Sequence, residues 1–325
     1  MIVLSSQDVA TLLPMSEAID VVARAMVDVS NGGATLPLRN VMPVGGNNKM
    51  GIMPGAIGNP ACFGVKLVSL FPGNPARGLS SHRGALVLFE EETGGAVSMM
   101  DASLLTAIRT AAASAVATRA LAREDAGCLA IIGYGEQGEH HLDAICAVRD
   151  IRQVHVAGRS APKAKAFCDH ARAKYPAMEF YSGDDVQAAV CDADIVCTVT
   201  ASPTPILQGD WIAPGTHVNV VGSSIPSMRE IDDAMVKRAS IWVDYLPSTL
   251  AQAGEIVEMI RAGQMVEAEI KGEIGAVLGG SLEGRSDAAE ITLYRSLGIA
   301  AQDLATAYHV TKRAEETGAG QSVSF

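Results

Sequence analysis

The chain has 325 residues, of which 48% are hydrophobic and 19% charged, which suits two ordinary domains with a sizeable core and not a disordered chain. Its formal net charge of −11 argues against nonspecific nucleic-acid binding, which needs a basic surface. An acidic chain can still hold an anionic cofactor, but only through local donors such as a helix N-terminus and a few Arg or Lys side chains.

The opening stretch MIVLSSQDVATLLP lacks a basic region and a long apolar run, so no secretory leader is expected. No stretch approaches the ~20 apolar residues of a membrane span. The cysteines Cys62, Cys128, Cys146, Cys168, Cys191 and Cys197 form no CxxC pair and no His/Cys cluster at metal-ligand spacing. They read as buried free thiols in a reducing, cytoplasmic setting, with no metal site.

Residues 16–29 read as an amphipathic helix, with Ile19, Val22, Met26 and Val29 on one stripe, Ser16 as N-cap and Asn31-Gly32-Gly33 as the stop. Short β-like runs follow: KMGIMP, FGVKLVSLF, GALVLFE and AVSMM. The last two flank Glu92-Thr93-Gly94-Gly95, a hairpin signal, so the first hundred or so residues predict an antiparallel sheet with helices. DASLLTAIRTAAASAVATRALA then predicts a long helix covered in Ala, Thr and Ser, whose cations are Arg109 and Arg119.

Beyond Asp125 the pattern changes. CLAIIGYG, QVHVAGRS, DADIVCTVT, HVNVVGSS and SIWVDY read as strands, and EQGEHHLDAICAV and APKAKAFCDHARAKY as helices. Strands alternating with helices predict an α/β fold with a doubly wound parallel sheet of Rossmann type. The boundaries are placed at 1–120 plus 297–325 for an α+β substrate-binding and dimerisation domain, and 121–296 for the dinucleotide-binding domain. The final helical segment is expected to pack back on the first domain.

Gly133-Tyr134-Gly135-Glu136-Gln137-Gly138 is a GxGxxG pattern, weak alone but here placed after a strand and at the start of a helix. Gly133 would make the tight turn, Gly135 would let backbone approach a pyrophosphate, and Gly138 would let helix and strand pack closely. About twenty residues past this motif, NAD-specific folds place an acid for the ribose diol. Gly158-Arg159-Ser160 stands there instead, with Lys163 after it. A guanidinium and a hydroxyl suit a 2′-phosphate, which favours NADPH over NADH, unless Arg159 is a solvated surface residue.

Arg109, amid small residues, is either a salt-bridge partner or an anion clamp. Lys66, inside an apolar strand, either snorkels outward or is a desolvated amine with a lowered pKa. Arg39 is a third candidate cation. His140 and His141 read as exposed or packing residues, His217 as structural, and His82 has no visible partner. No Ser-His-Asp arrangement is identifiable.

Several segments in one order make the chain resemble the ornithine cyclodeaminase/mu-crystallin family over nearly its whole length. They are MPGAIGNPACFGVKLVSLFPGNP, HRGALVLFEEETGGAVSMMD, TAIRTAAASAVATRALA, IIGYGEQGEHH, DIVCTVTASPTPIL, HVNVVGSSIPSMREID and GRSDAAEITLYRSLGIAAQDLA. The resemblance implies a homodimer and a nicotinamide cofactor. It implies that Arg39, Lys66 and Arg109 are the cations that bind the substrate carboxylate and handle its proton. Thr110, the Tyr134–Gln137 loop, Thr200, Gly222 and Gly298 would contact the cofactor.

One departure bears on the reaction. The cyclodeaminase and alanine dehydrogenase branches carry an Asp in the turn matching Gly222-Ser223-Ser224-Ile225-Pro226, and here the position is Ser224. The mu-crystallin-like ketimine reductases also carry Ser there. A hydroxyl cannot act as a carboxylate base, so the expected reaction is reduction of a preformed imino acid, such as 1-pyrroline-2-carboxylate or 1-piperideine-2-carboxylate. The alternatives are cyclodeamination with ammonia release, amino-acid dehydrogenation, and NADPH-dependent binding of a small ligand.

Overall fold

The computed structural model describes residues 1–324, apart from the side chain of Pro75. It divides into two compact units, 1–110 with 299–325, and 111–298. The first unit opens with β1 (Ile2–Leu4), α1 (Ser6–Leu12) and α2 (Met15–Ser30). The sequence reading passed over β1 and α1, although Ser5 and Asp8 form a reciprocal capping box at the start of α1. The α2 helix starts one residue before the expected one, and its N-cap is Pro14 rather than Ser16.

The strands β2 (Ala34–Thr35), β3 (Asn40–Gly45), β4 (Asn48–Gly58), β5 (Ala61–Leu70), β6 (His82–Phe89) and β7 (Ala96–Asp101) follow. From β4 to β7 they form an antiparallel meander, with the expected hairpin between β6 and β7. On β5, burial alternates so that Cys62, Gly64, Lys66 and Val68 share the covered face. β5 and β6 pair closely, and a Cβ on Gly84 would lie 1.9 Å from the Leu67 carbonyl oxygen.

α3 (Ala102–Leu121) is the predicted Ala-rich helix, and the division between units falls inside it, about ten residues before the expected boundary. The second unit then alternates β8 (Cys128–Ile132), α4 (Glu136–Cys146), β9 (Gln153–Ala157), α5 (Ala161–Lys174), β10 (Glu179–Gly183), α6 (Val186–Val190) and β11 (Ile195–Thr198). It continues through β12 (His217–Val220), α7 (Asp233–Arg238), β13 (Ser240–Val243), α8 (Leu246–Gln252), α9 (Gly254–Arg261), β14 (Ile270–Glu273), α10 (Ile274–Leu278) and β15 (Thr292–Arg295).

The eight strands of this unit form one parallel sheet in the order β10-β9-β8-β11-β12-β15-β13-β14. Both faces are covered, so residues of one strand feed different cores: Ala130 and Ile132 join one cluster, Leu129 and Ile131 the other. The strand order reverses about β8, which sets the switch point beside the end of β11.

The chain returns to the first unit through α11 (Ala300–Thr317) and β16 (Gln321–Ser322), which pairs with β1. α11 lies on β4, β5 and α2, which makes that unit discontinuous in sequence. Among the described residues, no helix is long and apolar enough to cross a membrane. All six cysteines are free; Cys62, Cys168 and Cys197 are buried, whereas Cys191 is exposed.

Carbonyls at and just past the C-terminal end of α3 draw on side-chain donors beyond the helix's own ladder. Arg149 supplies them, donating to Thr118 O at 2.9 Å, Ala122 O at 2.8 Å and Arg123 O at 2.9 Å, and Arg285 donates to Leu121 O at 2.7 Å. Arg149→Met is therefore expected to lower the unfolding free energy by about 2–3 kcal/mol, read by chemical denaturation, because several buried acceptors lose one shared donor.

Candidate active site

Lys66 is only 2% exposed, so it does not snorkel. It reaches the buried face of β5 because its Cβ is in phase with Cys62, Gly64 and Val68. Its ammonium meets Asp303 of α11 at 2.8 Å. Arg109, 4% exposed, places its Nε 2.8 Å from the other oxygen of Asp303, and its Nη1 donates to Gln302 Oε1 at 2.9 Å. Two buried cations thus share one carboxylate. Burial first, and then the Arg109 charge, push Lys66 down to about 7, with Asp303 opposing and Arg39 adding to the depression.

Arg39 lies half-buried just before β3. His82, at the start of β6, has an open surface, and its Nδ1 is 2.9 Å from Ser81 Oγ. Desolvation by the chain around it, and then the charges of Lys66 and Arg109, lower its pKa, which gives it the electrostatic neighbours that the sequence did not reveal. Thr110 is buried next to Arg109 on α3. Asp303 and Gln302 were missed by the sequence reading. The available signal was phase: Asp303 falls on the same stripe as Ala300, Leu304, Ala307 and Val310, all buried.

In the second unit the glycine loop has the geometry that its spacing implies. Gly133 has φ +119°, and a Cβ there would lie 2.9 Å from Val199 O. Gly135 is the N-cap of α4, has no side-chain cap, and a Cβ added there would meet nothing within 4 Å. A Cβ on Gly138 would lie 2.7 Å from Gly133 O. The loop therefore offers open backbone and uncapped amides at a helix N-terminus, an arrangement that fits a diphosphate. Tyr134 lies over Gly158, Glu136 is exposed, and the Gln137 carbonyl is 2.7 Å from Nδ1 of the buried His141. The other nitrogen of His141 is 2.9 Å from Ser114 Oγ; burial holds this imidazole down to about 4, so its work is packing.

At the end of β9, Arg159 and Lys163 are exposed, and Ser160 is the N-cap of α5 without a side-chain cap bond. That leaves a hydroxyl and two cations open to an anion. Thr200 and Gly222 turn their donors inward instead. Thr200 N and Oγ1 each bond Glu230 Oε1 at 2.7 Å, and Gly222 N bonds Glu230 Oε2 at 2.6 Å. Any contact they make with a ligand is through carbonyl, methyl or Cα surface.

Ser223 and Ser224 have different surroundings. Ser223 is fully buried, and Arg295 Nη2 donates to its carbonyl at 2.7 Å and to its hydroxyl at 2.9 Å; Arg295 also pairs with the buried Glu255. Ser224 is half-buried, so it is the serine of the turn with accessible surface. Gly298 has φ +73°, and its N–H is held by Asp244 Oδ2 at 2.6 Å.

A doubly wound sheet with a glycine loop opening α4 defines a dinucleotide-binding α/β protein, here joined to a unit with a buried Lys–Asp–Arg cluster. The sequence profile of the ornithine cyclodeaminase/mu-crystallin family matches residues 1–318, and the chain belongs to that family. A Delta(1)-pyrroline-2-carboxylate reductase of Bacillus cereus is 33% identical over 329 residues, covering 100% of both chains. The structure of Thermococcus litoralis Delta(1)-pyrroline-2-carboxylate reductase in complex with NADH and L-proline has a TM-score of 0.95 at 34% identity, covering 99% of this chain and 100% of that one. An archaeal alanine dehydrogenase dimer with bound NAD has a TM-score of 0.93 at 29% identity, covering 100% and 99%.

The depressed Lys66 pKa has a consequence for stability. The folded chain releases this proton near pH 7, whereas the unfolded lysine keeps it to about 10.5, so between those values the unfolded state binds more protons and stability rises with pH. Lys66→Met removes this contribution. The unfolding free energy of wild type minus variant should grow between about pH 7 and about pH 9, approaching about 1.4 kcal/mol per pH unit. A difference that stays flat with pH would show that Lys66 titrates as an ordinary lysine.

Proposed function

We propose that the protein is an NAD(P)H-dependent reductase that converts a small cyclic or linear imino acid, such as 1-pyrroline-2-carboxylate or 1-piperideine-2-carboxylate, to an L-amino acid. The observation that carries this reading is the buried Lys66–Asp303–Arg109 cluster: two cations on one carboxylate, with one of them poised near neutrality. The fork of Arg109, with Arg39, binds the substrate carboxylate. Lys66 holds, and then gives up, a proton at the imine nitrogen, directly or through water. Asp303 fixes both cations in place. The Ser224 hydroxyl lies where related branches use an acid, and it is suited to a neutral imine or amine nitrogen.

The glycine loop, Thr110, Thr200, Gly222 and Gly298 would hold a nicotinamide dinucleotide, which when bound supplies hydride to the C=N carbon. Arg159, Ser160 and Lys163 favour NADPH. Homodimerisation is part of the same reading. The face of the first sheet that carries Phe63, Val65, Leu67, Val87 and Phe89 is apolar and only half-buried, and β3 exposes Met42 and Val44. A second copy would cover this face. A reducing cytoplasmic setting accords with six free cysteines.

The direct test is NADPH oxidation with 1-pyrroline-2-carboxylate, with the product identified as L-proline. Ornithine with wild-type enzyme should release little ammonia, because Ser224 cannot serve as a carboxylate base. Stoichiometric ammonia and proline from ornithine would establish a cyclodeaminase instead. Tight binding of an apolar ligand without turnover of any imino acid would establish a binding protein. A further expected outcome concerns the cofactor. Arg159→Ala should raise KM for NADPH about tenfold or more and leave KM for NADH nearly unchanged, since a charge-assisted phosphate contact is lost only with the former. Equal effects on both, or a wild-type preference for NADH, would refute the assignment.

A further inference from the structure

The second unit buries a carboxylate that the reaction above does not use. Glu230 is fully buried on the segment between β12 and α7. Its Oε1 accepts Thr200 N and Thr200 Oγ1, each at 2.7 Å. Its Oε2 accepts Gly222 N at 2.6 Å and Thr198 Oγ1 at 3.0 Å. Thr198 ends β11, and Gly222 follows β12, so one carboxylate clamps two neighbouring strand ends. The clamp is tight: a Cβ on Gly222 would lie 2.0 Å from Thr200 O and 2.7 Å from Glu230 Oε1. Thr200 in turn adjoins the glycine loop, its Cγ2 only 3.2 Å from where a Cβ on Gly133 would stand.

In a doubly wound sheet, two mononucleotide-binding halves meet at the switch point. The strands β8 to β10 carry the loop and the adenosine side, and β11 and β12 belong to the other half. We propose that Glu230 is a positioning residue for the nicotinamide half of the cofactor, setting the Thr200 and Gly222 strand ends against the glycine loop. This rests on the reading of the second unit as the cofactor unit.

The arrangement demands a carboxylate and not merely a polar side chain of the same shape. Each oxygen accepts one main-chain N–H, and main-chain donors cannot turn round. A glutamine at this position must aim its NH₂ group at one of those two N–H groups in either flip, donor against donor, so either Thr200 N loses its acceptor or Gly222 N keeps only its longer bond to Thr198 O at 3.2 Å. An aspartate keeps the charge but is one methylene short, so it reaches one strand end and not both.

Calorimetric titration of wild type, Glu230→Gln and Glu230→Asp tests this, using the reduced dinucleotide that the wild type prefers and, separately, its adenosine-diphosphate half. Both variants are expected to fold and to bind the adenosine-diphosphate half as the wild type does. They should bind the whole dinucleotide about tenfold or more weakly. Unchanged dinucleotide affinity in a folded variant overturns the proposal. Parallel loss of both ligands, or failure of both variants to fold, also overturns it, because the residue then serves the unit's general stability. A wild type that binds neither ligand refutes the cofactor reading itself, and the proposal falls with it.

Discussion

The first unit is organised around a shortage of negative charge. Lys66 and Arg109 are both taken out of water, and one carboxylate, Asp303, is buried with them. Burying an uncompensated charge is costly, and such a site relieves the imbalance either by losing a proton or by gaining an anion. Lys66 is the group that can lose one, and burial beside the Arg109 charge brings its pKa down to about 7. An anionic substrate offers the other route. On the proposed reading, binding of a carboxylate and retention of the Lys66 proton are favoured together.

The second unit meets a different demand, that of holding backbone at the ends of parallel strands where regular pairing stops. Glu230 takes the N–H groups of Thr200 and Gly222, Asp244 takes those of Leu297 and Gly298, and Arg295 takes the Ser223 carbonyl. Each of these charges is buried, and each holds main-chain groups beside the strand ends. Main chain anchored in this way leaves less ordering for a ligand to impose.

What could be read from the sequence depended on whether the signal was local. The glycine loop was legible because its three glycines answer backbone needs that no other residue meets, and their spacing records those needs. The parallel sheet was legible from strands that are apolar on both faces. Lys66 was ambiguous for a physical reason. The opposite face of β5, with Phe63, Val65 and Leu67, is itself apolar, so alternation could not say which side was covered. Ser16 was misread as a cap because a favoured cap residue stood close to a helix that Pro14 begins. Asp303 and Glu230 stayed out of view because their partners are distant in sequence, and those of Glu230 include main-chain groups that every residue type carries.

The discontinuity of the first unit has a bearing on how the protein is made. Ribosomal synthesis delivers β4, β5 and Lys66 long before α11, and everything in the second unit lies between them. While the intervening chain emerges, that sheet lacks α11, and Lys66 and Arg109 have no Asp303. The second unit holds a complete core of its own and is free to fold during that interval. Lys66 and Arg109 thus meet Asp303 only at the last stage of translation, when the whole of the second unit has already been made.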